Sequence, residues 1–334
     1  MKYDNIIVSH AEDVDGIISA ALLLRKIGKE ECAKTKIILI AHSEEEKMFD
    51  LLVSLKGRNI FVADLSAKTE FIRRVYSSSP CYVMWIDHHQ DTIDNQITLD
   101  EFHYNYAVGK GVCAAMLIHR SNTLSDDSYA EKLADIAQCS DYPEEGDRLC
   151  EISGASNSCF EEGKKLQNAI SFLNSYPGMK SALEQIVREL AREELFGSIF
   201  YSRLVESYKE SIQKESDSLL RNVRRFSFSD LSFLVSYASS LFHSKETVEG
   251  FIRDVGECAD GYIIAFGPPT NNVLFFKHPD SKIDSVSFCK HMGGGGRDGK
   301  GGFGVKNMGG KVNAASFPQF VEKLASELRR FYSE

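Results

Sequence analysis

The run Cys81 to Ile86 is apolar or aromatic throughout, and Asp87-His88-His89 follows it directly. Such a run reads as a buried strand. A strand that ends on a carboxylate and two imidazoles sets those groups at the carboxyl edge of a sheet, where open α/β folds build their sites. One triplet of this kind, taken alone, is ordinarily a solvated strand end. Two further strand ends change that reading.

From the start of the chain, Ile6 to Ser9 is a short β-type run that leads into His10 and then Ala11-Glu12-Asp13-Val14-Asp15-Gly16. The stretch from Ile17 to Gly28 reads as a helix with a glycine stop. The same order recurs: Lys36 to Ala41 as a strand, Ser43 to Leu55 as helix, Asn59 to Val62 as a strand running into Asp64, and Thr69 to Tyr76 as helix. Near-continuous apolar strands separated by helices predict a parallel sheet with both faces covered. Gly111 to His119 and Tyr129 to Cys139 also read as helices, the second ending on Ser140-Asp141-Tyr142.

From Ser156 to about Phe226 the pattern is almost entirely helical, and from Ser227 it turns to strand-like pieces: Leu231 to Tyr237, Gly261 to Gly267 and Asn272 to Lys277. The expected class is therefore α/β, with two bodies: a parallel-sheet domain over 1–185, a helical connector over 186–226 and a smaller α/β domain over 227–334. With 334 residues, each body has enough chain to bury a real interior.

A net charge of −9 argues against gripping long nucleic acid through its phosphates alone, yet leaves room for a small anion in a local basic pocket. The eight cysteines are scattered with no CxxC pair and read as reduced, mostly buried thiols of a cytosolic protein. The first residues lack a basic segment and no apolar run reaches the length of a membrane span, so a cytoplasmic location away from membranes is expected.

Eight polar residues stand at strand or helix ends in the first 141 positions: His10, Asp13, Asp15, Asp64, Asp87, His88, His89 and Asp141. Asp13 and Asp15 can each be explained as a cap of the helix that follows. Asp64 can cap a turn and Asp141 can end a helix at the surface. Those readings leave one thing unexplained: His10, Asp64 and Asp87-His88 all follow apolar strands of one expected sheet. Carboxylates gathered at one edge repel and protonate unless cations neutralise them. Four of them balance two divalent ions, and imidazole nitrogens favour manganese, iron or cobalt over magnesium. Two such ions about 4 Å apart suit in-line phosphoryl displacement.

In this order and spacing the motifs resemble the DHH phosphoesterases, a family that includes RecJ exonucleases, enzymes acting on nanoRNA and pAp, cyclic dinucleotide phosphodiesterases and family II inorganic pyrophosphatases. The resemblance runs through His10 to Gly16, Val62-Ala63-Asp64, Asp87-His88-His89, Ser140-Asp141 and the glycine run Gly293 to Gly304. It implies two Mn2+ ions per site, other divalent ions being admissible. His10, Asp13 and Asp64 hold one ion; Asp15, Asp64, His88 and Asp141 hold the other. Glu12 competes with Asp13, and the Asp-x-Asp-Gly unit favours Asp13. By the same resemblance His89 touches the scissile phosphate and Asp87 orients the histidine pair, so that Asp64, Asp87 and His89 form the catalytic group. The first domain then carries catalysis and the last binds substrate.

The glycine run admits three readings. One is a flexible tip. A P-loop fails because Gly301 stands where a Ser or Thr is required. The family's substrate loop remains, with Gly294, Gly295 and Gly296 giving close backbone approach and Arg297, Lys300 and Lys277 supplying positive charge. Arg297 replaces the family's His, and Lys277 stands where the family commonly has an Arg. The implied activity is hydrolysis of short oligonucleotides or small nucleotides such as nanoRNA, pAp or cyclic and linear dinucleotides. The alternatives are a RecJ-like single-strand exonuclease, a pyro- or polyphosphatase, and a nucleotide sensor without catalysis. A homodimer is left open.

Overall fold

The computed structural model describes residues 4–41, 44, 57–77, 79–121, 123–142, 158–176, 178–238, 245–255, 259–267, 271–297, 299–308 and 312–333. The chain divides into two compact units, Met1–Tyr208 and Lys209–Glu334.

The first unit carries strands β1 (Asn5–His10), β2 (Thr35–Ile40), β3 (Asn59–Ala63), β4 (Tyr82–Asp87) and β5 (Asn105–Val108). They form one all-parallel sheet in the order β2-β1-β3-β4-β5. The helices are α1 (Val14–Ile27), α2 (Thr69–Ser77), α3 (Gln90–Asp94), α4 (Gln96–Glu101), α5 (Ala114–His119), α6 (Ser128–Asp141), α7 (Ser158–Asn174), α8 (Lys180–Ala191) and α9 (Ile199–Arg221), within which the division between units falls. The expected helix over Ser43 to Leu55 lies, apart from residue 44, outside the described residues.

Side chains alternate across β1. Ile7 joins a core with α1, α5, α6, α7 and α8, while Ile6 and Val8 join a second core with Phe71, Ile72, Trp85 and Leu99. Both faces of the sheet are thus covered, which is what permits apolar strands of this kind. Trp85 is wholly buried, its indole N–H donating to the Leu65 carbonyl at 2.9 Å. Leaving β1, the chain goes to β2 on one side and to β3 on the other. In a 2-1-3-4-5 sheet the crevice outside the carboxyl ends of β1 and β3 is the topological switch point where ligands bind. His10 ends β1 and Asp64 follows β3.

The second unit holds β6 (Arg224–Phe228), β7 (Leu231–Ala238), α10 (Lys245–Asp254), β8 (Gly261–Phe266), β9 (Asn272–Lys277), α11 (Ser285–His291), β10 (Gly295–Arg297), β11 (Lys300–Gly304) and α12 (Phe317–Ser333). Its six strands run in the order β10-β11-β9-β8-β7-β6, parallel only between β7 and β8.

Two sequence expectations are corrected, and one of the three readings of the glycine run is excluded. The helical pattern stops at Arg221 rather than near Phe226, because Arg224–Phe228 pairs antiparallel with β7 and stacks Phe226 and Phe228 on Phe233 at 5.3 and 5.4 Å. The glycine run is no loose tip: Gly295–Arg297 and Lys300–Gly304 form a hairpin at the sheet edge. Among the described cysteines, Cys113, Cys139 and Cys289 are buried, but Cys81 is exposed at the start of its strand. Among the described residues no helix is long and apolar enough to cross a membrane.

Candidate metal centre

The eight polar residues expected at strand and helix ends do meet. His10, Asp13 and Asp64 form one group able to hold a metal ion, Asp15, His88 and Asp141 another, and Asp64, Asp87, His88 and His89 a third; ligand atoms within each lie no more than 4.8 Å apart. Asp64 and His88 each belong to two groups.

Local structure explains how each arrives. Asp13 does cap α1, accepting from the Gly16 N–H at 2.9 Å, and its other oxygen meets His10 Nδ1 at 2.7 Å. Capping and cluster membership are thus compatible. Gly16 is required by close approach, since a Cβ there would stand 2.4 Å from the His10 carbonyl oxygen. Asp15 does not cap its own helix: its oxygens accept from the Ala114 and Ala115 N–H groups, both at 2.8 Å, and so it caps α5, while Oδ1 also takes the Ser19 hydroxyl of α1 at 3.4 Å. Asp64 sits at φ 54°, a left-handed conformation that Asp tolerates better than most residues, with its N–H donating to the Ile86 carbonyl at 3.0 Å.

The imidazoles are held by different partners. His88 Nε2 lies 3.3 Å from Asp64 Oδ1 and 3.7 Å from Asp15 Oδ2, and its Nδ1 lies 3.6 Å from Asp141 Oδ2. His89 Nδ1 meets Asp87 Oδ1 at 2.7 Å. Asp87 is fully buried, and its second oxygen accepts from the Thr92 hydroxyl. Glu12 approaches His10 Nε2 at 3.3 Å, but it is absent from the three ligand groups.

Sequence reading missed four participants. Thr92 orients Asp87, and Tyr142 Oη stands 2.9 Å from His88 Nδ1. Gln167 and Asn174 of α7 donate to the Glu12 and Ala11 carbonyls at 3.0 and 2.7 Å, pinning the loop that carries Asp13. Thr92 and Tyr142 lie next to motif residues, which is a usable signal. Gln167 and Asn174 lie more than 150 positions from their partners, and no local pattern announces them.

One buried acid lacks a full set of partners without a cation. Asp64 is 3% exposed and its Oδ2 has no hydrogen-bond partner. His10 Nδ1 stands 3.6 Å from it, beyond normal hydrogen-bond range. Burial and the charge of Asp64 push the Asp15 carboxyl well above its ordinary range. Burial raises Asp141 as well. An orphaned acceptor among buried acids, beside neutralisable imidazoles, is the donor set that a divalent ion satisfies. The residues present therefore fit a metal centre.

Burial alone would lower the His10 pKa, yet the hydrogen bond of Asp13 and the negative charges of Asp13 and Asp64 outweigh it and raise the ring to about 11. For His88 burial is likewise outweighed, by Asp64, Asp15 and Asp141, and the ring rises to about 9. A ligating imidazole must be neutral, so an incoming ion displaces these protons. Metal affinity is accordingly expected to rise from pH 6 toward pH 9, roughly tenfold per pH unit for each proton displaced. Calorimetric titration with Mn2+ in buffers of different ionisation enthalpy reads the proton release directly; a pH-independent affinity with no release contradicts it.

The substrate loop expected in the second unit has a packing explanation of its own. A Cβ at Gly294 would lie 1.9 Å from the Gly302 carbonyl oxygen, one at Gly296 2.2 Å from that of Lys300, and one at Gly301 2.6 Å from Cys289 Sγ. Those glycines let the hairpin close on itself and on α11. Gly295 has open space instead. Lys277 reaches the Ser281 carbonyl with Nζ at 3.4 Å, and Lys300 Nζ lies 6.0 Å from the centre of the Phe276 ring. The Arg297 side chain lies outside the described residues.

The sequence matches no protein-family model. It matches no curated protein either. Among solved structures the chain is similar to an uncharacterized protein from Helicobacter pylori G27, at 14% identity and a TM-score of 0.35 over 98% of this chain and 99% of that one. It is also similar to CDC45 from Entamoeba histolytica, at 9% identity and a TM-score of 0.46 over 97% and 95%. A Methanococcus jannaschii protein assigned as a family II inorganic pyrophosphatase shows 13% identity and a TM-score of 0.31 over 90% and 92%. At such scores the comparisons carry no functional weight, and what the cluster can do follows from its own side chains.

Proposed function

We propose that the chain is a phosphoester hydrolase of the DHH type that depends on two divalent ions, Mn2+ by preference, and acts on short oligonucleotides or small nucleotides. The observation that carries this reading is the position of Asp64: buried, shared by two ligand groups and left with an unpaired oxygen. His10, Asp13 and Asp64 would hold one ion, and Asp15, Asp64, His88 and Asp141 the other. Bound there, the ions lower the pKa of water and offset charge on the oxygens of an in-line displacement.

The chain's own residues do the rest. His89 is the most open of the three imidazoles near Asp64, its side chain 38% exposed against 6% for His10 and 11% for His88. Asp87 accepts from its Nδ1 and raises its pKa, and the protonated ring would present Nε2–H to a phosphoryl oxygen. Donors already placed where charge develops are commonly the largest catalytic contribution. Lys277, Arg297 and Lys300, with the open backbone at Gly295, are the residues to which anion binding in the second unit is assigned from the sequence motif. A net charge of −9 supports a short ligand over a long nucleic-acid track.

A panel of pAp, cyclic and linear dinucleotides, pyrophosphate and RNA or DNA oligomers of increasing length, each with Mn2+, tests the proposal. The expected result is turnover of the small nucleotides that fades as chains lengthen. Undiminished rates on long single strands indicate a processive exonuclease, and hydrolysis of pyrophosphate alone a pyrophosphatase. Binding without turnover of any member overturns the hydrolase reading.

A further inference from the structure

We infer that Tyr142 is a positioning residue for His88: its hydroxyl holds Nδ1, so that Nε2 is the nitrogen turned to the metal. The inference rests on the cluster being a metal centre. A neutral imidazole has one lone pair to offer, and the hydrogen bond made by one nitrogen decides which one that is. Tyr142 Oη stands 2.9 Å from Nδ1, within bonding range, whereas Asp141 Oδ2 at 3.6 Å from the same nitrogen is beyond it. Nε2 faces the acids, 3.3 Å from Asp64 and 3.7 Å from Asp15. A phenol oxygen can accept as well as donate; with the acids gathered on the Nε2 side it would accept from Nδ1–H, and the lone pair of Nε2 then points to the carboxylates that would hold the ion.

The phenol is itself well anchored. Tyr142 follows the last residue of α6, and its N–H donates to the Gln138 carbonyl at 2.9 Å. The Gln138 side chain in turn accepts from the Cys113 N–H at 2.9 Å and donates to the Gly111 carbonyl at 3.2 Å, which ties the end of α6 to the start of α5. The Tyr142 ring meets His88 edge-on with centroids 5.9 Å apart, and the His89 ring stands 4.6 Å from His88. The imidazole plane is set as well as its tautomer.

His10 and His89 are each held at 2.7 Å by a carboxylate, Asp13 and Asp87. For Nδ1 of His88 the partner in bonding range is a neutral phenol. Asp15, Asp64 and Asp141 already surround that ring, so a hydroxyl orients it without adding a fourth negative charge. Groups that orient a metal-ligating histidine typically matter about 10- to 100-fold in metal affinity.

Tyr142→Phe keeps the edge contact and removes only the hydroxyl. Two readouts are taken besides turnover: Mn2+ and Zn2+ affinities by calorimetry, and the 15N ring shifts of His88 with diamagnetic Zn2+ bound. Wild type should show Nδ1 protonated and Nε2 metal-bound. The variant should bind one of its two ions about 10- to 100-fold more weakly and lose the single tautomer, while its melting temperature without metal stays within about 4 °C of wild type, as for the loss of one half-buried hydrogen bond. Zn2+ on Nδ1 in the wild type overturns the inference without any variant. A Tyr142→Phe protein matching wild type in affinity and ring shifts overturns it while leaving the metal centre standing. A wild type that binds no ion sinks both.

Discussion

Replacing Asp64 by alanine is expected to lower Mn2+-dependent kcat/KM at least about a thousandfold, a barrier increase of roughly 4 kcal/mol. The size follows from geometry. Asp64 Oδ1 lies 3.3 Å from His88 Nε2 and Oδ2 3.6 Å from His10 Nδ1, so one side chain reaches a histidine of each proposed ligand set. Its loss strips a donor from each and unbalances the charge set that holds the ions. Asp87→Asn, by contrast, removes only an orienting carboxylate and should cost about 10- to 100-fold. Steady-state rates of the two variants on the best member of the substrate panel check the ranking. Asp64→Ala activity within about tenfold of wild type, a difference near 1.4 kcal/mol, shows that Asp64 bridges nothing.

The second large effect is on stability. Buried acids that repel one another weaken the metal-free fold, and an ion bound only by the native state adds RT ln(1 + [L]/Kd). At a hundredfold excess over Kd this is about 2.7 kcal/mol per site, hence about 5 kcal/mol for two. Chemical unfolding with and without Mn2+ should show a midpoint shift of that size, reversed by a chelator. Since protons on His10 and His88 compete with the ions, the gain should shrink as pH falls from 8 to 6. A shift under about 1 kcal/mol at saturating Mn2+ argues against a structured dinuclear site.

Much of the first unit was legible because burial on both faces writes itself into apolar runs: β1, β3 and β4 lie within a residue or so of the stretches read as strands. The convergence of His10, Asp64, Asp87 and His88 followed from a parallel sheet, in which carboxyl ends share one edge. Less visible were features set by tertiary contact. That Asp15 caps α5 rather than its own helix depends on a neighbour about 100 positions away. The β6 strand was hidden by Arg224 and Arg225, whose charge continues the pattern of the preceding helix until the hairpin with β7 claims them. The glycine run gave no hint that three of its members pack against backbone or Cys289.

The count of ions per chain tests the two-metal arrangement most directly. Protein dialysed against Mn2+ at pH 8 and assayed by atomic absorption should carry two ions per chain, and Asp64→Asn treated identically at most one. Two ions retained by Asp64→Asn, or none held by the wild type, contradicts the arrangement.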